Sequence, residues 1–87
     1  MSKILATFRS RSETLSFASI VKSYGVMVEI VSTPRSCNVT CGISAKFDSY
    51  FVEEAKEILS RRNFTTFAGL YLILENNYSK EITVVPY

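Results

Sequence analysis

Any covalent chemistry in this chain rests on two thiols. Cys37 and Cys41 share one short stretch, Thr33-Pro34-Arg35-Ser36-Cys37-Asn38-Val39-Thr40-Cys41-Gly42, and no histidine occurs anywhere in the 87 residues. A thiolate is the reactive form of cysteine, and its pKa falls beside a cation or at a helix N-terminus. Arg35 is the one charge inside the stretch and has the right sign. Backbone amides about Gly42 are candidates to gather round a sulfur or an anion, because glycine reaches conformations that other residues avoid.

The spacing narrows the options. Three residues separate the cysteines, unlike the two-residue gap of redox helices and zinc knuckles. Two thiols without histidine fall short of a four-ligand zinc site, so neither metal nor cofactor is expected unless two subunits pool their cysteines. A disulfide needs α-carbons only about 5.5 Å apart and can form if the stretch folds back on itself. In a reducing compartment that bond is transient rather than structural. Plain packing competes with all of this, since cysteine is a common buried small apolar residue. Cys41 abuts a strand and can point inward, whereas Cys37, amid Arg35, Ser36 and Asn38, is expected to be exposed.

The elements that position the stretch follow from periodicity. Lys3 to Phe8 reads as a strand, with Ile4, Ala6 and Phe8 on one face and Leu5 and Thr7 on the other. Ser10, followed three residues later by Glu13, is a capping-box signature. Leu15, Phe17, Ala18, Ile20, Val21 and Tyr24 then form the apolar stripe of a helix over 11–24, which Gly25 stops. Val26 to Val31 alternates as a second strand and leads into the cysteine stretch, where Pro34 forbids simple continuation. Gly42 to Phe47 is the third strand. Asp48 or Ser49 caps a second helix with Glu53 and Glu54 near its start and Arg61 and Arg62 at its end, which the helix dipole favours. Those arginines read as end-capping on a solvated face, with Asn63 in the left-handed position beyond them. Thr65 to Leu74 is a fourth strand in which Gly69 marks a bulge or a close backbone approach. Lys80 to Val85 adds a last edge strand after the Glu75-Asn76-Asn77 turn.

This order predicts an α+β chain, the βαββαβ split βαβ (ferredoxin-like) two-layer sandwich with one appended C-terminal strand and both helices on one face. Residues 1–87 are expected to form a single domain. The reverse face, carrying residues such as Leu5, Thr7, Met27, Val31, Ser44, Lys46, Tyr71 and Ile73, is too apolar for water. Either the C-terminal segment or a second copy is expected to cover it.

Composition excludes several classes. Ten basic against eight acidic residues leave a net charge of +2, with no long basic run to suit a nucleic-acid surface. No apolar run is long enough to span a bilayer, and the first residues lack the core of a secretory signal, so a cytoplasmic setting is expected. The six Phe and five Tyr are many for so short a chain and leave room for a homodimer contact.

The motif Thr33-Pro34-Arg35, followed by a short polar loop and Cys41-Gly42, resembles that of a family of short bacterial proteins, the selenium/sulfur carrier-like proteins. The resemblance covers about residues 3–73 and includes an opening strand ending in Thr7-Phe8 and a third strand ending near Phe47; the segment 75–87 lies beyond it. It implies a carrier role, with sulfur or selenium held on Cys41 as a persulfide or perselenide. It also implies partners, a cysteine desulfurase or other persulfide donor and an acceptor protein. Arg35 would then steady the anion, with Pro34, Gly42 and Arg9 in support and Cys37 as a local resolving thiol. Such a protein is a stoichiometric carrier more than a turnover enzyme.

Three rivals stand beside this. One is a non-catalytic regulatory or binding domain that self-associates through its sheet. Another is a reader of single-stranded RNA that stacks bases on Tyr71, against which the weak charge argues. The last is an acyl-phosphate hydrolase, for which Arg9 is a lone hint.

Overall fold

The computed structural model describes residues 2–37 and 42–87 of the chain. Its order is β1 (Ser2–Phe8), α1 (Arg11–Ser23), β2 (Val28–Ser32), β3 (Ile43–Asp48), α2 (Val52–Arg61), β4 (Phe67–Glu75) and β5 (Lys80–Val85), with 3-10 turns at Arg35–Cys37 and Ser49–Phe51. The five strands form one antiparallel sheet in the order β2-β3-β1-β4-β5. Each helix joins two strands that run the same way with a third between them, which is the split βαβ arrangement the sequence predicts. β5 extends the sheet beyond β4.

Local chemistry sets the element ends. Ser10 caps α1, its hydroxyl accepting the Glu13 N–H at 3.3 Å. The reciprocal half of a capping box is missing, because the Glu13 carboxylate reaches across the fold instead. It accepts from the Thr66 N–H at 2.9 Å, from the Thr66 hydroxyl and from the Thr65 hydroxyl at 3.3 Å. α1 therefore starts where expected but is stitched to the segment entering β4. Gly25 takes a left-handed backbone, φ 83°, and its N–H satisfies the Lys22 carbonyl at 2.9 Å. β2 begins at Val28, two residues later than the alternation implies, because the chain is still leaving that turn. Asp48 caps the short Ser49–Phe51 turn, with the Tyr50 N–H at 3.2 Å, rather than α2 itself. In β4 the register slips between Thr7, opposite Gly69, and Phe8, opposite Phe67. Ala68 is thus the extra residue of a bulge, as the glycine signal suggested.

Both helices pack on one face. Phe17, Ala18 and Val21 of α1 and Ala55, Ile58 and Leu59 of α2 meet Ile4, Ala6, Phe8, Ala45, Phe47 and Leu70 from the sheet. Every phenylalanine of the chain joins this side. Phe8 lies 5.4 Å from Phe17, 5.4 Å from Phe64 and 5.6 Å from Phe67, ring centre to ring centre. Phe17 also meets Phe47 at 6.1 Å, and Phe47 meets Phe51 at 6.1 Å. Such pairs add roughly 0.5–1.5 kcal/mol each beyond the area they bury. The phenylalanines are therefore spent on the interior, whereas Tyr24, Tyr50, Tyr78 and Tyr87 stay exposed.

Tyr87 folds back on the same side, its ring 5.4 Å from Phe67 and its hydroxyl donating to the Lys56 carbonyl at 3.3 Å. The chain's last residues thus do not cover the reverse face of the sheet. Among the described residues no helix is long and apolar enough to cross a membrane.

Candidate functional site: the cysteine hairpin

The stretch 33–42 is the connection of the β2–β3 hairpin. Ser32 and Ile43 are the last paired residues, and the Thr33 N–H donates to the Gly42 carbonyl at 3.1 Å to close the loop. The Thr33 and Ser44 hydroxyls meet at 2.6 Å. Gly42 itself adopts no left-handed backbone, and a Cβ there would meet nothing within 4 Å. Its contribution to this geometry is the carbonyl that closes the loop.

Pro34 starts the turn by accepting the Cys37 N–H on its carbonyl at 3.1 Å. The turn leaves Arg35 and Ser36 exposed and drives Cys37 inward. Cys37 is only 4% exposed and packs with Leu5, at 0%, and Ile73, at 3%, flanked by Val31, Tyr71 and Ile82. The sequence-based expectation of an exposed Cys37 is therefore wrong. Polar neighbours along the chain point outward here, and the one apolar side chain of the turn faces the sheet. Tyr71 completes the arrangement by donating its hydroxyl to the Cys37 carbonyl at 3.2 Å.

The turn at Arg35–Cys37, then, covers the centre of the reverse face, over Leu5 and Ile73. Of the two covers expected from the sequence, the C-terminal segment contributes in part, through Ile82 of β5, while Met27 and Val84 on the same face stay exposed. Beside the Leu5 cluster lie two buried hydroxyl residues opposite one another in register, Thr7 and Ser44. Both are satisfied, Thr7 by the Gly69 carbonyl at 2.9 Å and Ser44 by Thr33. Leu5, Thr7, Ser44 and Tyr71 are thus part of the site, and sequence reasoning had not given them that role. Their signal was present in the period-two alternation, which put all four on the face that lacked a cover.

This setting decides the behaviour of Cys37. Burial pushes its thiol pKa up, and no cation is among the causes. Arg35, two residues earlier, does not activate it. A buried, protonated thiol is a poor nucleophile. Cys41 lies outside the described residues, so its assigned role as acceptor is not illustrated by the geometry. Arg9 sits at the same end of the sheet as the loop, two residues past the Thr7–Ser44 pair, just as Gly42 lies two residues before it. Its side chain is exposed and its N–H donates to the Thr66 carbonyl at 2.8 Å. The fold therefore brings Pro34, Arg35, Cys37 and Gly42 onto one loop and Arg9 to the same edge. Tyr71 is not a free stacking platform, since the loop engages its hydroxyl. Among the described residues no three His, Cys, Asp or Glu side chains converge as a metal site would require.

No curated protein and no solved structure was found to match the chain. A family model does match, over residues 3–71, which span β1 through the middle of β4 and include the whole cysteine hairpin. The chain belongs to the family described as "Putative Se/S carrier protein-like".

Proposed function

We propose that this protein carries sulfur or selenium as a persulfide or perselenide on Cys41, with Cys37 held in reserve. The observation that carries the division of roles is the burial of Cys37 against Leu5 and Ile73. Of the two thiols in the chain, the one that is packed and protonated is unsuited to receive cargo at rest. Family membership supports the carrier reading itself.

Loading needs no acid or base residue. The Cys41 thiolate attacks the outer sulfur of a donor persulfide, the donor S–S bond breaks, and the donor leaves as its thiolate while the chain holds Cys41–S–SH. Arg35, exposed on the same loop, offers a counter-charge to the anion, with Arg9 at the same edge. Unloading onto an acceptor thiolate is the same exchange in reverse. If the turn lifts, the Cys37 thiolate can instead attack the Cys41 sulfur. That step forms a disulfide, expels the outer sulfur as sulfide, and takes the oxidising equivalents from the cargo itself. Burial of Cys37 keeps this wasteful release slow while the loop is seated. The partners in this reading are a persulfide donor such as a cysteine desulfurase and an acceptor protein, in a cytoplasm where thiols stay reduced.

Intact mass spectrometry tests it. The reduced chain is treated with a small-molecule persulfide, and in parallel with a cysteine desulfurase plus cysteine. One added sulfur atom in the native chain and in Cys37→Ser, absent in Cys41→Ser, is the expected result. Loss only in Cys37→Ser would reverse the roles. No addition to any form, with alkylation showing a reactive thiol, would favour a non-catalytic domain that self-associates.

A further inference from the structure

The folded topology sorts the charges of this chain in a way its mild net charge hides. Four of the five arginines, Arg9, Arg11, Arg61 and Arg62, lie at the end of the sheet where the β2–β3 hairpin turns, and the fifth, Arg35, stands on the turn that folds back over Leu5 and Ile73. Arg9 follows β1, Arg11 opens α1, Arg35 precedes β3, and Arg61 and Arg62 close α2 ahead of β4. β1 and β4 are adjacent, so two neighbouring strand ends, about 4.8 Å apart, each lie next to an arginine-bearing segment. All five are exposed, and among the described residues only Arg61 has a carboxylate partner, Glu57. Of the other acids only Glu13 lies at this end, and it is occupied by Thr65 and Thr66. The opposite end holds Asp48, Glu53, Glu54, Glu75 and Glu81. Lysines do not follow the pattern. Lys3, Lys22 and Lys80 stand with the acids, and Lys46 and Lys56 lie between the ends.

Arginine and lysine differ in what they bind. The guanidinium is planar, weakly hydrated and matched to carboxylate geometry, which makes it the usual basic residue of interfaces. A set made only of arginine, of which Arg61 alone has a carboxylate partner among the described residues, suits a recognition surface better than general solubilising charge.

We propose that this end of the molecule is a docking surface for a protein partner that presents an acidic rim, which is the donor or acceptor of the cargo. The proposal rests on the carrier reading for the partner's role, but the surface and its charge stand without it. An acidic protein fits better than nucleic acid. The exposed ring beside Arg61 and Arg62, Tyr87, stands edge-on to Phe67 with its hydroxyl donated to the Lys56 carbonyl, Tyr71 is tied to the turn, and the acidic far end of the molecule would repel an extended phosphate chain. Complementary charge would bring the partner's thiol to the hairpin quickly and in one orientation.

The test compares two charge reversals of equal size. Arg11→Glu with Arg62→Glu alters the arginine end outside the residues assigned to the chemistry, and Lys22→Glu with Lys80→Glu alters the far end. Binding of a short poly-glutamate peptide is measured by titration at low and high salt, with an oligouridylate of equal charge as comparator. The expected result is salt-sensitive peptide binding that the arginine pair weakens at least about tenfold and the lysine pair leaves nearly unchanged. Absence of peptide binding, or equal loss in both variants, overturns the proposal. Tighter binding of the oligouridylate through the same arginines overturns it in favour of nucleic acid. Competition by a second copy of the chain at low salt, abolished by Glu53→Lys with Glu54→Lys, overturns it in favour of head-to-tail self-association. Loading by the small-molecule persulfide in the arginine variant reports separately on the carrier chemistry, so either reading can fail without the other.

Discussion

The helix-side face of the sheet and its reverse are both dry at their centres, but different amounts of chain keep them so. On the helix side two helices, the Phe64 segment and Tyr87 bring a web of phenylalanines over β1, β3 and β4. On the reverse side one 3-10 turn and a single cysteine lie over Leu5 and Ile73, steadied by the hydroxyls of Tyr71, Thr33 and Ser44. The first face is over-determined, and losing one contact leaves many. The second depends on a few polar bonds of roughly 0.5–1.5 kcal/mol each. What the difference teaches is that stability is concentrated on the helix side, while the cover over the reverse face, with Cys37 in it, is held by few contacts, a common division in proteins whose sites must open.

The comparison can be broken most easily at Phe8. Phe8→Ala should cost about 3–5 kcal/mol, because the ring touches three others and the surrounding helices cannot close the space. Urea unfolding measures it, and a cost under about 1 kcal/mol would show that the phenylalanine web does not hold the fold. Leu5→Ala on the reverse face should cost less, about 2–3 kcal/mol, since the turn above it can settle. Equal losses at the two sites would erase the asymmetry.

Tyr71→Phe sharpens the contrast. It removes only the hydrogen bond to the Cys37 carbonyl, so stability should fall by about 0.5–1.5 kcal/mol. Alkylation of Cys37, followed in the Cys41→Ser background, should accelerate in this variant, because the turn that shields the thiol is less firmly seated. The pH dependence has a definite sign. Burial raises the Cys37 pKa in the folded chain, so the stability tied to its protonated form is full below the ordinary thiol range and is lost as pH rises through the folded value. Cys37→Ala should flatten that alkaline loss.

The smallest effect belongs to Glu13. Hydrogen bonds from the Thr66 hydroxyl and N–H, and then from Thr65, hold its carboxyl below the usual range. Its contribution is present above the ordinary carboxylate pKa and fades as pH falls through the lowered folded value. Glu13→Gln should make acid unfolding slightly less steep, read from melting temperature against pH.

Much of the fold was legible in the sequence because it is local. The period-two runs of β1 and β4, the stripe of α1, the Ser10 cap and the Gly25 stop each declare themselves within a few residues. The family resemblance, carried by Thr33-Pro34-Arg35 and Cys41-Gly42, was legible too. What could not be read is what depends on contacts far apart in the chain. Glu13 looked like half of a capping box, yet its carboxylate serves Thr65 and Thr66. Cys37 looked solvent-facing beside Arg35 and Ser36, yet the direction of a short turn is set by what lies beneath it. Leu5 and Ile73, too apolar to be left wet, were the indication that something would cover them, and the nearest apolar side chain of the loop was Cys37.

β5 has a consequence of another kind. It begins beyond the span shared with the family, and it pairs along β4 from Leu70 to Glu75. Without it, β4 would be the sheet's outer strand, nine residues long and apolar through Phe67-Ala68-Gly69-Leu70-Tyr71-Leu72-Ile73-Leu74. A long, flat, uncharged rim of that sort is a template on which other chains add and aggregate. With β5 in place the rim is shorter and opens on Lys80 and Glu81. The appended strand therefore acts as a guard on solubility, allowing β4 to stay as greasy as the two faces it separates demand.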